Sequence, residues 1–458
     1  GCRQLKSNSP LTSLSIDLPL YIRPLRAAIS PVDLDFLSMK GAFELPQDHL
    51  GEALLDTYLQ FVHPYILVLD RANLLRVFDT RSVPSVDCDE DSKLSLLLYW
   101  AIIFAASSHI KMSILQEMGY DSRSAARRAL FRKTKLLYDL HIEQDPITLL
   151  QAVLLMSYRF KETDNQRELW FIAGFSTPFL QSMDFSRLIR ISAPSTKRTK
   201  LLRKIWWSCF VRDTLIAEQL MSPSKTKTEE SDIPLLTLDD FDLSRDSDEA
   251  LRTSAIIYID QTKLCIHINR VLEMHASVTA LISSDPAFSY GSTEAAISDL
   301  LARKIRMYDT DFTKWVNDLS EEAKLNESTA GDSSLQLQQT LLHMTYLIGL
   351  SILHRPLVLP SKSEVALARH INISIRTLSK DRLHHIATQT TVLAKTILQQ
   401  QFCEYMPPYS ITLLTTAITV HLMDIQFGHS AAVERLRKEV GICVRLLEDL
   451  REIYAEAD

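Results

Sequence analysis

Glycine is scarce in this chain, at 10 of 458 residues, against a usual share of about 7%. Because glycine supplies the positive-φ positions of tight hairpins and phosphate-binding loops, few such turns can form. The scarcity favours an all-α fold. The sequence also lacks GxSxG, Walker A, GxGxxG and HExxH patterns, so the usual signals of hydrolases, nucleotide-binding proteins and zinc proteases are missing.

Cysteine is equally sparse. The six cysteines lie at least forty residues apart, which excludes a CxxC pair of zinc ligands and a dense disulfide framework. We therefore expect reduced thiols in an intracellular protein, with no metal or other cofactor held by this chain.

The chain has no excess of positive charge and no long apolar run. Lysine and arginine total 50 and aspartate and glutamate 56, a formal charge of −6, so no net positive field draws the chain onto a phosphate backbone. The most apolar runs, 94–106 and 341–353, have 13 residues each. About 20 are needed to span a bilayer, so we expect no membrane span. We also expect no signal peptide.

The hydrophobic pattern has helical periodicity from about residue 46 onward. Before that point four prolines interrupt the chain, which predicts an extended lead-in over 1–45. The first predicted helix ends at His63, because Pro64 cannot continue it. Further helices are predicted at 92–118, 122–141, 146–160, 166–184, 197–219, 250–283, 293–320, 334–353, 364–402, 409–427 and 431–456.

Several different segments follow one another in an order that is typical of one family. They are the His63-Pro64 element (61–65), the apolar helix 94–106, the basic helix 125–139, the segment 149–158, Trp170 with Gly174, the Trp206-Trp207 helix (203–213), the acidic exit 232–241 and His354-Arg355-Pro356. Together they resemble the regulatory (middle homology) region of fungal binuclear zinc-cluster transcription factors. Segments 18–25 and 221–241 are most similar to the cutinase transcription factor beta and fatty-acid-responsive group.

This resemblance implies a large helical regulatory domain over 46–360, with C-terminal helices of 361–458 packed on the same body. It implies a nuclear, non-enzymatic regulator of RNA polymerase II transcription, whose target genes concern fatty-acid or cutin breakdown. The family binds DNA through six cysteines that hold two zinc ions. Cys2 is the only cysteine in the first 87 residues, so that DNA-binding head is absent from this chain. The implied partners are DNA through the missing head, co-regulators of transcription and a fatty-acyl effector.

The candidate ligand pocket lies around Trp170, Gly174, Trp206 and Phe210. Trp206 is expected to stack on Phe210, one helical turn later, while adjacent Trp207 must point in another direction. Core packing is the alternative role for these rings. The neighbouring Arg212-Asp213 is expected to form a buried structural ion pair.

Other hypotheses stay open at this stage. The chain could be a headless ligand-binding or interaction protein of the same fold, or a helical enzyme that holds magnesium on Asp239, Asp240 and Asp242. The basic residues of 123–135 fit either a solvated face or a surface for nucleic acid or an acidic partner. An a/d stripe over 433–454 permits a homodimer seam or packing on its own domain.

Overall fold

The computed structural model describes residues 18–25, 29–79, 93–158, 185–191, 196–219, 222–226, 233–241, 243, 249–284, 291–325, 333–360, 371–407, 409–427 and 430–451. The described residues form α-helices and short 3₁₀ turns, and the one β-type contact among them is a single bridge between Ile22 and Leu94. The predicted all-α class is confirmed. The helices are α1 (Pro31–Met39), α2 (Asp48–Phe61), α3 (Arg71–Asp79), α4 (Leu96–Ala106), α5 (Met112–Glu117), α6 (Arg123–Asp139), α7 (Pro146–Met156), α8 (Phe185–Ile191), α9 (Lys197–Gln219), α10 (Glu249–Ser284), α11 (Gly291–Asn317), α12 (Ser333–Val358), α13 (Ile373–Gln400), α14 (Tyr409–Phe427) and α15 (Ser430–Arg451).

The first core is built around α4. All eleven of its side chains are buried, since the segment is apolar on every face and must be enclosed on all sides. Helices α2, α6 and α7 pack around it. Trp100 of α4 donates its indole N–H to the Ala42 carbonyl at 2.8 Å, which ties the lead-in to this core.

The predicted single helix over 92–118 is wrong, because the chain breaks between α4 and α5. The guanidinium of Arg123 donates to the carbonyls of Ser107, Ser108 and Ile110 at 3.2, 3.1 and 2.7 Å. Carbonyls at a helix end need such partners. A distant arginine thus stabilises a break that local periodicity does not reveal.

The lead-in also departs from its expected extended form, since it contains α1. Pro31 occupies the first turn of this helix, and the hydroxyl of Ser30 accepts a hydrogen bond from the Val32 N–H at 3.3 Å. Proline is well tolerated at the first helical position, where no N–H is required. The proline therefore begins a helix here.

The second core surrounds α12, which packs on α10, α11, α13 and α14. By length and apolar composition α12 is the one described helix that would also meet the criteria for a membrane span, yet 78% of its apolar window is buried inside the protein. Helices α13, α14 and α15 pack on one another. Leu436, Cys443 and Leu450 of the α15 stripe are buried in these contacts, so this part of the stripe packs within its own chain.

Pro356 does not end α12, although the sequence predicts an end at residue 353. The helix continues to Val358 with the proline inside it. Proline removes the N–H that would bind the Ile352 carbonyl four residues earlier. The imidazole of His275 instead lies 3.0 Å from that carbonyl oxygen through Nε2, and this replacement partner makes the internal proline tolerable.

The long helix α10 joins the two cores. Its 36 residues span about 54 Å at 1.5 Å per residue. Tyr258 and Cys265 lie in the first core, whereas Ile257, Leu264 and Ile268 lie in the second. The two cores therefore share one helix.

Two predicted helices lie partly or wholly outside the described residues. The predicted helix 166–184 lies outside the described residues. The helix predicted from 364 is described from Ile373, where the side chain of Asn372 accepts a hydrogen bond from the Ile375 N–H at 2.9 Å. Asparagine is a preferred N-cap.

Candidate ligand-binding site

A cavity of about 240 Å³ lies in the first core between α2, α3, α9 and the start of α10. We call it the His63 cavity. Apolar side chains outnumber polar ones nine to five among its lining residues. The larger apolar ones are Leu59, Leu67, Leu75, Phe241, Leu243 and Leu251. The polar ones are His63, Asp70, Arg71, Lys204 and Ser254.

His63 lies just after α2, where the helix stops before Pro64. Its backbone N–H donates to the Tyr58 carbonyl at 2.8 Å, and this contact holds the residue at the cavity wall. Its side-chain Nδ1 is shielded from solvent and has no hydrogen-bond partner. Burial, with Lys204 and Arg71 nearby, lowers the pKa of His63 to about 3. The imidazole is therefore neutral at physiological pH, with spare hydrogen-bonding capacity.

Two cationic side chains approach this imidazole from different helices. Lys204 of α9 is 7% exposed, and Arg71 is the first residue of α3. The carboxylate of Asp70 caps α3 by accepting the Asn73 N–H at 3.1 Å. Lys204, Arg71 and Asp70 are the charged residues that line the cavity, and apolar surroundings strengthen the fields of such groups.

Two rings of the predicted pocket, Trp206 and Phe210, lie in the core. Trp206 and Phe210 are 4% and 0% exposed, and their rings stack at 6.0 Å with planes 2° apart, as expected. Trp206 and Trp207 are perpendicular and in contact, with centroids 4.6 Å apart. Neither Trp206 nor Phe210 lines the His63 cavity. Trp170 and Gly174 lie outside the described residues, so a pocket formed by these four stays a prediction.

Arg212 and Asp213 are both partnered, but with other residues and not with each other. Arg212 donates from Nε to the Ser157 hydroxyl at 3.0 Å and from a terminal nitrogen to the Ser157 carbonyl. Asp213 accepts from Ser224 Oγ at 2.8 Å and from the Thr226 N–H at 2.7 Å. Adjacent residues on a helix point about 100° apart, and each charge is satisfied by a different segment.

The acidic exit does not assemble a metal site among the described residues, where no group of three suitable ligands occurs. Asp240 is fully buried and accepts the Thr237 N–H at 2.9 Å. It also forms an ion pair with Arg203. Asp242 lies outside the described residues. Asp240 thus anchors its 3₁₀ turn to α9.

The basic helix α6 is partly turned inward. Arg127 donates to the Tyr158 carbonyl at 3.1 Å, and the Lys133 ammonium lies 4.0 Å from the Trp100 ring centroid. Arg123, Arg127 and Lys133 therefore contact other parts of the protein, although a solvated face was expected for this helix. Long basic side chains can cover apolar surface in this way.

Ser379 and Asp309, which the sequence does not single out, meet His354 in the second core. The hydroxyl of Ser379 lies 3.1 Å from His354 Nδ1, and His354 Nε2 lies 3.1 Å from Asp309. Arg382 also donates to both carboxylate oxygens, at 2.6 and 2.8 Å. Ser379 and His354 are 0% exposed, so no substrate can reach the hydroxyl, and this is a structural network. Its members come from three helices, so no local motif could reveal it.

The residues of the His63 cavity do carry a sequence signal. His63 and Lys204 are polar residues inside the apolar segments 61–65 and 203–213, which the resemblance singles out. The predicted pocket contains the aromatic residues Trp206 and Phe210 of the second segment, together with Trp170 and Gly174, and neither of these polar residues. Their juxtaposition depends on the packing of α9 against α2 and α3.

The fold and site define a class: a large helical regulatory domain with two cores and a cavity in the first. A family model described as "Fungal specific transcription factor domain" matches residues 55–328. Because the match covers more than half of the chain, this chain belongs to that family. The matched range includes every lining residue of the His63 cavity.

Curated relatives support the same conclusion. The chain is 31% identical to "Cutinase transcription factor 1 beta" of Fusarium vanettenii, over 96% of this chain and 52% of the relative. It is 26% identical to "Transcription factor cpaR" of Aspergillus oryzae, over 97% of this chain and 75% of the relative. The chain spans about half the length of the first of these. No solved structure matches it.

Proposed function

We propose that this chain is the regulatory body of a nuclear, DNA-binding transcription factor that controls RNA polymerase II transcription. The observation that carries the proposal is the family match over 55–328, joined by a relative named as a transcription factor that aligns with 96% of the chain. The chain has no catalytic role in this proposal. Its task is to couple a small-molecule signal to the transcription machinery.

DNA binding in this proposal comes from a six-cysteine zinc cluster that is not among the residues of this chain. The formal charge of −6 and the wide spacing of the cysteines support this division of labour. Zinc therefore belongs to the head, and the body requires no cofactor. Homodimerisation stays a prediction, which native mass spectrometry of the purified chain would check.

The target genes in this proposal encode enzymes of cutin or fatty-acid breakdown. The support is the printed name of the relative from Fusarium vanettenii, which concerns cutinase. A fatty-acyl molecule is the corresponding effector. The His63 cavity, whose wall is mostly apolar and includes Lys204 and Arg71, is a described site of suitable chemistry.

A tethering experiment tests the regulatory function. Residues 1–458 are fused to an unrelated DNA-binding domain, and transcription of a reporter is measured in a fungal host with glucose or with fatty acids as carbon source. We expect reporter output to change with the carbon source, whereas the tethering domain alone gives no change. Output that equals the tethering domain alone under both conditions would contradict the proposal.

The alternative is a headless ligand-binding or interaction protein, which the net charge and the cysteine spacing also fit. An electrophoretic mobility assay of the natural full-length gene product on promoter fragments separates the two. Zinc-dependent shifts support the transcription factor, and their absence favours the alternative.

A further inference from the structure

Helix α1 packs on the first core with one face and leaves another face uncovered. Leu37 is fully buried in that core. Val32, Phe36 and Met39 follow one another at steps of four and three residues, so they share the face that is turned away from Leu37. They are 74%, 38% and 77% exposed. Single exposed apolar residues are ordinary on a protein surface, but three on one helix face form an apolar patch, which we call the α1 stripe.

Two charged residues lie on the same side of the α1 stripe. Asp33 follows Val32 in the first turn, and Lys40 follows Met39 at the end of the helix. Each is therefore rotated by about 100° in the same direction from its apolar neighbour. The Lys40 ammonium lies 5.5 Å from the Phe36 ring centroid, and the Asp33 carboxylate forms no ion pair with a described residue. The stripe has a negative charge near its first end and a positive charge near its second.

This order of charges fits a second copy of the same helix in the antiparallel direction. Asp33 lies three residues before Phe36, and Lys40 lies four residues after it. A two-fold axis at Phe36 would therefore place Asp33 of each copy beside Lys40 of the other, with the apolar residues between them. A parallel pair would bring like charges together, which is costly across an interface. Two-fold contacts between identical surfaces are the commonest kind in soluble oligomers.

The small size of the α1 stripe limits the strength of this contact. The nine residues of α1 make about 14 Å of helix, whereas a standard stable interface buries about 800 Å² of each partner. We therefore expect a dissociation constant of roughly 10–100 µM. The other candidate seam, on α15, is buried in its own chain at Leu436, Cys443 and Leu450, so those three side chains are already occupied.

We propose that the α1 stripe is the contact surface of a weak symmetric dimer, in which the α1 helices of two copies of this chain pack antiparallel. This inference deepens the proposed function, because it gives the predicted homodimer a surface and a geometry. It rests on that function only for its biological meaning. Self-association itself is a property of the purified chain.

Sedimentation equilibrium of the purified 458-residue chain, from about 1 to about 200 µM, tests the proposal across the expected range. We expect a monomer–dimer equilibrium. Met39→Ser should weaken it at least tenfold, because the substitution acts twice in a symmetric contact. The control is Ile373→Ser at the start of α13, which is 85% exposed and lies outside α1, and it should stay within twofold of wild type. A chain that is monomeric at every concentration, or equal losses in variant and control, would overturn the proposal.

Charge variants test the antiparallel arrangement and guard against misfolding as an explanation. Asp33→Lys and Lys40→Asp should each weaken self-association severalfold, because each brings like charges together twice. An equimolar mixture of these two variants should associate about as tightly as wild type, since every facing pair then has opposite charges. Misfolded chains would not regain affinity on mixing. Single variants that associate like wild type, or a mixture that stays as weak as they are, would overturn the antiparallel pairing.

The reporter experiment separates this inference from the proposed function. Intact self-association, with reporter output equal to that of the tethering domain alone, would refute the proposed function alone. A purified chain that stays monomeric while the reporter responds to the carbon source would refute this inference alone. If Met39→Ser abolishes the reporter response of such a monomeric chain, the α1 stripe contacts a different protein, and the dimer is overturned.

Discussion

Each core of this protein has a histidine close to an arginine, and the two histidines differ in their hydrogen-bond partners. In the second core both ring nitrogens of His354 have partners, Ser379 and Asp309. In the first core the side chain of His63 has no hydrogen-bond partner among the described residues and faces a cavity. The comparison separates a site built for stability from a site with unused capacity, and unused capacity is what ligand binding requires.

The electrostatics of the two sites differ in the same sense. Burial lowers the pKa of His354, and the hydrogen bond and charge of Asp309 oppose that effect. Burial raises the pKa of Asp309, but hydrogen bonds from His354 and Arg382 outweigh it and leave that pKa below its usual value. At His63 burial, Lys204 and Arg71 all lower the pKa. The influences on the pKa of His354 therefore oppose one another, whereas those on the pKa of His63 act in the same direction.

The largest expected effect comes from opening the network of the second core. Asp309→Asn removes the charge that Arg382 and His354 share, and we expect a loss of about 3 kcal/mol in the free energy of unfolding, at the low end for a buried pair because Arg382 is partly exposed. Chemical denaturation followed by circular dichroism measures it. The control is Asp299→Asn on the same helix, whose pair with Arg303 is exposed and should contribute under about 0.5 kcal/mol. A loss below about 1 kcal/mol for Asp309→Asn would show that the network is dispensable.

The next effect tests how closely the second core is packed. A Cβ on Gly349 would lie 2.8 and 2.9 Å from ring atoms of Phe312 and 3.0 Å from Ile268. Gly349→Ala should therefore lower the free energy of unfolding by about 1–3 kcal/mol, because the added methyl group overpacks the core. The control is Gly441→Ala in α15, where nothing lies within 4 Å, and it should be neutral or stabilise by up to about 1 kcal/mol. The melting temperatures of both variants measure these changes. Equal shifts in the two variants would refute the close approach of Gly349 to Phe312.

The first core and the family were largely predictable from the sequence, because both depend on local pattern. The apolar run 94–106 predicts a buried helix whatever surrounds it, and the order of motifs predicts the family. The break after Ala106 and the continuation through Pro356 were not predictable. Each depends on one distant side chain, Arg123 or His275, that satisfies orphaned carbonyls.

The candidate site was predictable in part. The sequence directs attention to the helix that carries Lys204, but it favours the aromatic residues on it, which pack in the core. Aromatic rings dominate the pattern because they are rare and large, whereas a cavity forms wherever side chains from separate helices fail to fill space. Its position is set by the packing of α2, α3, α9 and α10, and no spacing along one segment encodes it.

The pH dependence of stability is a third expected effect, smaller than those of the two substitutions above. Burial lowers the pKa of His63 and of His109 to about 3, and that of His343 to about 4. The ordinary value is about 6.5. As pH falls below that value the unfolded chain takes up protons first, so this stability is present above pH 6.5 and is lost toward pH 3. Each of these histidines should lower the free energy of unfolding by about 1 kcal/mol when the pH falls from 7 to 5.5.

Denaturation curves at the two pH values measure this dependence. His63→Leu should reduce the loss between pH 7 and pH 5.5 by about 1 kcal/mol, the share of one histidine. Chains with and without the substitution that lose the same stability would show that His63 is not held neutral in the folded state.

The smallest effect at neutral pH is expected from that same His63→Leu substitution. Its side chain makes no hydrogen bond to a described residue, so leucine loses none and matches the apolar wall; we expect a change within about 1 kcal/mol of wild type. The matched variant His354→Leu loses two hydrogen bonds and leaves Asp309 and Ser379 buried, and it should cost about 2–4 kcal/mol. If His63→Leu instead unfolds the chain as readily as His354→Leu, His63 is a structural residue of the first core.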